Sequence, residues 1–153
     1  MRTLNHLFED CVARFSDNVC LLEKKNNNYK ATTFREVHEK VHQFAAGLIE
    51  MGIEKGDRIA LLAEGRNDWI YGELGILFAG AVNVPLSVKL TEPSELRFRL
   101  VHSGARMILV SKSQVRKLAP LKGALPGLER LILFDPQDSY DTHEVYFQDI
   151  LET

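Results

Sequence analysis

Four short runs of almost wholly apolar residues recur between stretches of helical periodicity. This alternation limits the folds open to the chain more than any other feature. The runs are IALLA at 59–63, VNVPL at 82–86, ARMILVS at 105–111 and LERLILF at 128–134. A strand with one wet face would alternate apolar and polar residues. These do not, so both of their faces must be covered. From residue 33 the order is helix, strand, helix, strand, helix, strand, helix, strand, helix. That order predicts a three-layer α/β fold, with a mainly parallel sheet and helices on both faces.

Local signals mark the element ends. TFRE at 33–36 is a capping box, in which Thr33 and Glu36 satisfy each other's backbone amides. A helix follows to about residue 51, with Val37, Val41, Phe44, Ala45 and Leu48 on one face and Gly52 placed to end it. Asn67 is expected to cap a helix running to about 79. Pro93 suits the first turn of another, which Gly104 closes. SQVRKLAPLKG reads as a short helix and loop, and EVYFQDILE, 144–152, as a terminal helix. Before residue 33, residues 4–15 predict an amphipathic helix with Leu4, Leu7, Phe8, Cys11, Val12 and Phe15 on one side. VCLLEKKNNNYKAT predicts a β-hairpin turning at the asparagines.

The 153 residues favour one domain or a piece of a larger one. A net charge of −2 with no block of like charge offers no nucleic-acid surface. The N-terminus has no apolar signal core, and the longest apolar stretch, LGILFAGAV, is too short to span a bilayer. The expectation is a soluble cytoplasmic protein, touching membranes at most peripherally, with Cys11 and Cys20 as thiols in a reducing compartment.

Three patterns bear on chemistry. HEKVH at 38–42 fits H-E-x-x-H, in which two histidines one helical turn apart hold zinc. A third ligand is lacking: Ala45 stands where the extended motif has glycine, and His6, His102 and His143 lie in other elements. No metal is therefore expected at His38 and His42. The turn AEGRND at 63–68 joins a strand to a helix, an arrangement that often holds phosphate. It has one glycine and carries Glu64 and Asp68, so a plain βα turn is the expectation. Arg116 and Lys117 follow a strand end, where ligands of open α/β sheets gather. A solvated basic pair is the alternative. No serine has the G-x-S-x-G context, and no catalytic residue is assigned.

The segments TFRE, GLIEMGIEKGDRIA, NDW, GILFAGAVNVPL, EPSEL and SGAR together resemble the N-terminal region of the adenylate-forming (AMP-binding) superfamily. Its members include acyl-CoA synthetases, luciferases and peptide-synthetase adenylation domains. The resemblance spans essentially the whole chain and is strongest over 32–111, with a long-chain fatty-acid–CoA ligase as the nearest flavour. It implies a parent acid–CoA ligase that uses ATP and Mg²⁺ to adenylate a carboxylate and then forms a thioester with CoA. The family's Thr/Ser/Gly-rich phosphate loop, its Tyr-Gly-x-Thr-Glu segment and its C-terminal catalytic lysine are not among these residues. The chain, 1–153, is thus expected to be a truncated N-terminal subdomain. It would be inactive alone, binding no cofactor of its own and packing against the rest of the parent or forming a homodimer. In related acetyl-CoA synthetases, basic residues after the matching strand approach the 3′-phosphate of CoA. The resemblance implies that role for Arg116 and Lys117. The competing reading is a non-catalytic interaction module that retains the fold.

Overall fold

The computed structural model describes residues 2–152. Helix α1, Leu4–Phe15, starts at Thr3, which shares a capping box with His6. Strands β1, Val19–Lys25, and β2, Asn28–Thr33, form an antiparallel hairpin. Asn26 and Asn27 turn it with φ of 49° and 62°. Two successive left-handed residues are what a tight hairpin needs to match strand twist, and asparagine tolerates them. Helix α2, Phe34–Glu50, opens on the Thr33–Glu36 box, where the Thr33 amide donates to Glu36 Oε2 at 2.7 Å. Gly52, at φ 84°, ends it.

Five strands follow: β3, Arg58–Leu62; β4, Val82–Pro85; β5, Ala105–Val110; β6, Arg130–Leu133; and β7, Glu144–Tyr146. They form one sheet in the order β4-β3-β5-β6-β7, parallel throughout. The intervening helices are α3, Asn67–Phe78; α4, Pro93–Ser103; α5, Lys112–Val115; and α6, Phe147–Leu151, with a 3₁₀ turn at Ala119–Leu121.

Alternation along the strands divides the core in two. Ile59, Leu61, Met107, Leu109, Ile132 and Phe134 pack with α2, α3 and α6. Ala60, Leu62, Ile108, Val110 and Leu133 pack with Leu96 and Leu100 of α4 and with Leu118 and Leu121. Each large side chain so covered contributes about 1.5–3 kcal/mol, which is why both helix layers are needed. Helices α2 and α3 approach closely because α3 offers Gly75 to the Phe44 ring. A Cβ there would lie 2.6 Å from Phe44 Cδ1.

Two expectations need correcting. Residues 144–152 do not form one helix. Glu144–Tyr146 pairs with β6 in the register Leu131↔Glu144 to Leu133↔Tyr146, and only Phe147 onward is helical. Three residues are too few to show a period, and the open edge of β6 supplies the hydrogen bonds. The apolar stripe of α1 is also only partly covered. Phe8, Cys11 and Val12 are half-buried, while Leu4, Leu7 and Phe15 are exposed. Both cysteines are free thiols. Among the described residues, no helix is long and apolar enough to cross a membrane.

Candidate functional site

The chain passes from β3 to β4 on one side, then returns to place β5 on the other side of β3. The order of strands therefore reverses between β3 and β5. The crevice beyond their carboxyl ends is where doubly wound sheets place ligands. Glu64 follows β3 there, and Ser111, Ser113 and Gln114 follow β5.

The polar groups at this crevice bond to one another, and Glu64 and Arg66 also border an open cavity of about 700 Å³. Ser111 Oγ donates to Glu64 Oε2 at 2.7 Å, and Ser113 Oγ and Gln114 Nε2 donate to Glu64 Oε1. Partial burial pushes the Glu64 carboxyl upward, but hydrogen bonds from Ser113, Ser111 and Gln114 outweigh it and hold the group at about 2. Two turn residues further, Arg66 donates through Nε (3.0 Å) and Nη2 (2.7 Å) to Asp68 Oδ2, and through Nη1 (2.8 Å) to Asp135 Oδ1. The other Asp135 oxygen accepts the Lys112 amide at 2.8 Å. Arg66 thus ties the β3–α3 turn to the end of β6 and the start of α5.

The start of α3 has a partner within the chain, though not the expected one. Asn67 is not its cap. Arg66 holds the cap position without a capping side chain. The Asn67 amide donates to Glu23 Oε1 of β1 at 3.1 Å, and its side chain donates to Thr32 Oγ1 at 3.3 Å. A carboxylate from the hairpin therefore answers the positive helix end. With Glu64, Asp68 and Asp135 also nearby, a phosphate would meet like charge.

The folded-state acidity of Glu64 carries a sign. Its pKa lies below the ordinary 4.5, so the stabilisation is full above about pH 4.5 and is lost as pH falls toward 2. The group is exposed, and solvent screening keeps the effect to about 1 kcal/mol or less. Glu64→Gln is expected to flatten the urea-midpoint change between pH 5 and pH 2.5. An unchanged profile would assign the acid sensitivity to other carboxylates.

Arg116 and Lys117 have different surroundings. Lys117 Nζ donates to the Val88 carbonyl at 2.6 Å and is half-buried. It anchors the loop after β4. Arg116 is exposed and borders a cleft of about 490 Å³, lined by apolar Leu118, Leu121 and Leu131 and by charged Asp141 and Glu144. The Arg116 guanidinium fits a phosphate by charge and geometry, whereas the Lys117 ammonium is already directed onto a carbonyl.

The two histidines of HEKVH meet a third group that the sequence did not disclose. Glu9 of α1 lies against both: its Oε1 is 2.9 Å from His42 Nε2 and 3.2 Å from His38 Nε2. Glu9 stands 29 residues from His38, so no spacing rule reaches it. Only the packing of α1 against α2 brings it there.

Residues 8–150 match the family described as AMP-binding enzyme. The chain is 28% identical over 150 residues to the long-chain-fatty-acid–CoA ligase heimdall of Drosophila melanogaster, covering 94% of this chain and 22% of that protein. It is 34% identical over 110 residues to a long-chain-fatty-acid–CoA ligase of Escherichia coli, covering 71% and 19%. Among solved structures, the coronafacic acid ligase of Pectobacterium brasiliense superposes with a TM-score of 0.86 at 22% identity, over 97% of this chain and 29% of that one. An anthranilate CoA ligase in complex with anthranoyl-AMP gives 0.84 at 22% identity, over 97% and 26%. These two likenesses establish a shared fold, and the chain spans about a fifth of the length of the Drosophila and Escherichia coli ligases. With the family match running from Phe8 to Ile150, through every strand of the sheet, the chain belongs to the AMP-binding enzyme family.

Proposed function

We propose that these residues are the N-terminal portion of an ATP-dependent acyl-CoA ligase, which adenylates a long-chain fatty acid and then passes the acyl group to CoA. The observation that carries this reading is the likeness, along nearly the whole chain, to the fatty-acid–CoA ligase of Drosophila melanogaster. In this reading the portion is scaffold and is inactive alone. Its switch-point carboxylate, Glu64, is bonded to the chain's own serines, and the first amide of α3 to Glu23. ATP and Mg²⁺ would be held by the rest of the parent enzyme, whose residues supply the positioned charge that adenylation requires. Arg116 is the residue of this portion suited to the CoA phosphate, and Lys117 serves by holding the loop at Val88. The remainder would cover the open β4 edge, where Val82 is exposed. In an isolated chain, that edge and the exposed Phe98 and Val101 of α4 favour two-fold self-association.

The test is pyrophosphate release from ATP with Mg²⁺ and a panel of fatty acids. The isolated chain is expected to give none. A chimaera in which this chain replaces the aligned segment of the Escherichia coli ligase is expected to turn over. Turnover by the isolated chain, or a folded but inactive chimaera, would overturn the reading.

A further inference from the structure

The convergence of Glu9, His38 and His42 is not needed by the ligase reading and is not explained by it. Their ligand atoms lie within 4.8 Å of one another. His38 and His42 stand one turn apart on α2, so both imidazoles project from the same face. Both direct Nε2 at one carboxylate. His38 Nε2 lies 3.2 Å from each Glu9 oxygen, and His42 Nε2 lies 2.9 Å from Oε1. Four-coordinate zinc with bonds of about 2.0–2.2 Å separates its ligand atoms by about 3.4 Å. The two carboxylate–imidazole distances, 2.9 and 3.2 Å, fall within about half an ångström of that value, and no two of the ligand atoms are more than 4.8 Å apart.

The rings are also held in place. His42 packs edge-on against Phe78 at 4.7 Å, and His38 stacks on Phe8 at 6.3 Å. Phe8 in turn meets Phe78 at 6.1 Å. Apolar walls of this kind fix ligand orientation and restrict solvent on one side. On the other side the site is open. The side chains of His38, His42 and Glu9 are 31%, 46% and 44% exposed, which provides an entry path and room for water as a fourth ligand.

We propose that Glu9, His38 and His42 form a binding site for a first-row divalent cation, with zinc as the fitting ion, that fastens α1 to α2. Two imidazoles and a carboxylate are a borderline N₂O donor set, which suits Zn²⁺ and not Ca²⁺ or Mg²⁺. The expectation of no metal rested on the lack of a third ligand near the motif; Glu9, brought from α1, is that ligand. Glu39, the glutamate of the motif, is exposed and is not among the converging groups. The site therefore acts as a clasp. A clasp suits α1, which has no fully buried residue and rests on α2 and α3 through few side chains, Phe8 and Asn5 among them.

The test uses the full chain, stripped with chelator and titrated with ZnCl₂ against a chromophoric competitor. One zinc per chain is expected, and Co²⁺ in its place should give the visible absorption of a four-coordinate N/O site. Loss of groups that merely orient ligands weakens metal sites about 10–100-fold, so E9Q, H38Q and H42Q should each weaken zinc by about 100-fold or more. H102Q, on the distant α4, should leave the affinity unchanged. Far-UV circular dichroism confirms that each variant is folded, as half-exposed positions should permit. Zinc should also slow hydrogen exchange in the amides of residues 4–15 of the native chain and not of E9Q. Failure to bind zinc, or equal affinity in E9Q, H38Q, H42Q and the native chain, would overturn the site. Unchanged exchange in residues 4–15 would overturn the clasp.

Discussion

Phe44→Ala is expected to destabilise the chain by about 3–5 kcal/mol, the range for removing a buried aromatic ring. Phe44 is fully buried on α2. Its ring lies 4.6 Å from that of Phe147 on α6, and Gly75 of α3 abuts it on another side. The residue thus joins three helices over one face of the sheet. Gly75 has no side chain to move into the space, and α2 cannot sink further because Val37, Val41 and Leu48 already seat it. The cavity should therefore stay open, which puts the cost toward the upper end. Against a total stability of about 5–15 kcal/mol, such a loss leaves little margin. Urea denaturation of the native and variant chains measures it. A change below about 1 kcal/mol would mean that the α2–α3–α6 seam closes around the gap.

The second large effect is expected at Arg66. Its guanidinium makes two bonds to Asp68 and one to Asp135, and its carbon lies 5.5 Å from the centre of the Phe134 ring. The side chains of Arg66, Asp68 and Asp135 are only 27%, 16% and 28% exposed. Arg66→Ala leaves two partly buried carboxylates without their cation. Breaking a fully buried pair costs about 3–5 kcal/mol, and partial exposure lowers this to about 2–3. Arg66→Lys keeps the charge but not the planar fork, so it should recover less than half of the loss. In a double-mutant cycle, Asp135→Asn in the Arg66→Ala background should cost far less than it does alone. Additive effects would show that the bridge contributes nothing to holding β6 against the β3–α3 turn.

Much of the architecture is legible in the chain because its signals are local. Thr33 and Glu36 are three residues apart, and their box forms within one turn of helix. Gly52 and Gly104 take φ of 84° and 65°, a choice made by the absence of a Cβ. The apolar strands declare a sheet covered on both faces, since any other placement would expose them. The family was legible too, from GLIEMGIEKGDRIA and its companions, and the match over residues 8–150 bears it out.

What the sequence could not determine are the pairings between distant elements. Glu144–Tyr146 becomes a strand only because β6 offers it an edge. Glu23 caps α3 across 44 residues, displacing the local candidate Asn67, because the hairpin lands beside that helix. Glu64 meets Ser111 and Ser113 because β3 and β5 are neighbours in the sheet. Lys117 bonds the Val88 carbonyl, 29 residues away, because the loop after β4 lands beside it. Glu9 joins His38 and His42 only when α1 packs on α2. Helical caps and turns are chosen over three or four residues by dihedral preference and short hydrogen bonds. Which side chains converge is set by strand order and helix packing, and those depend on the whole core at once.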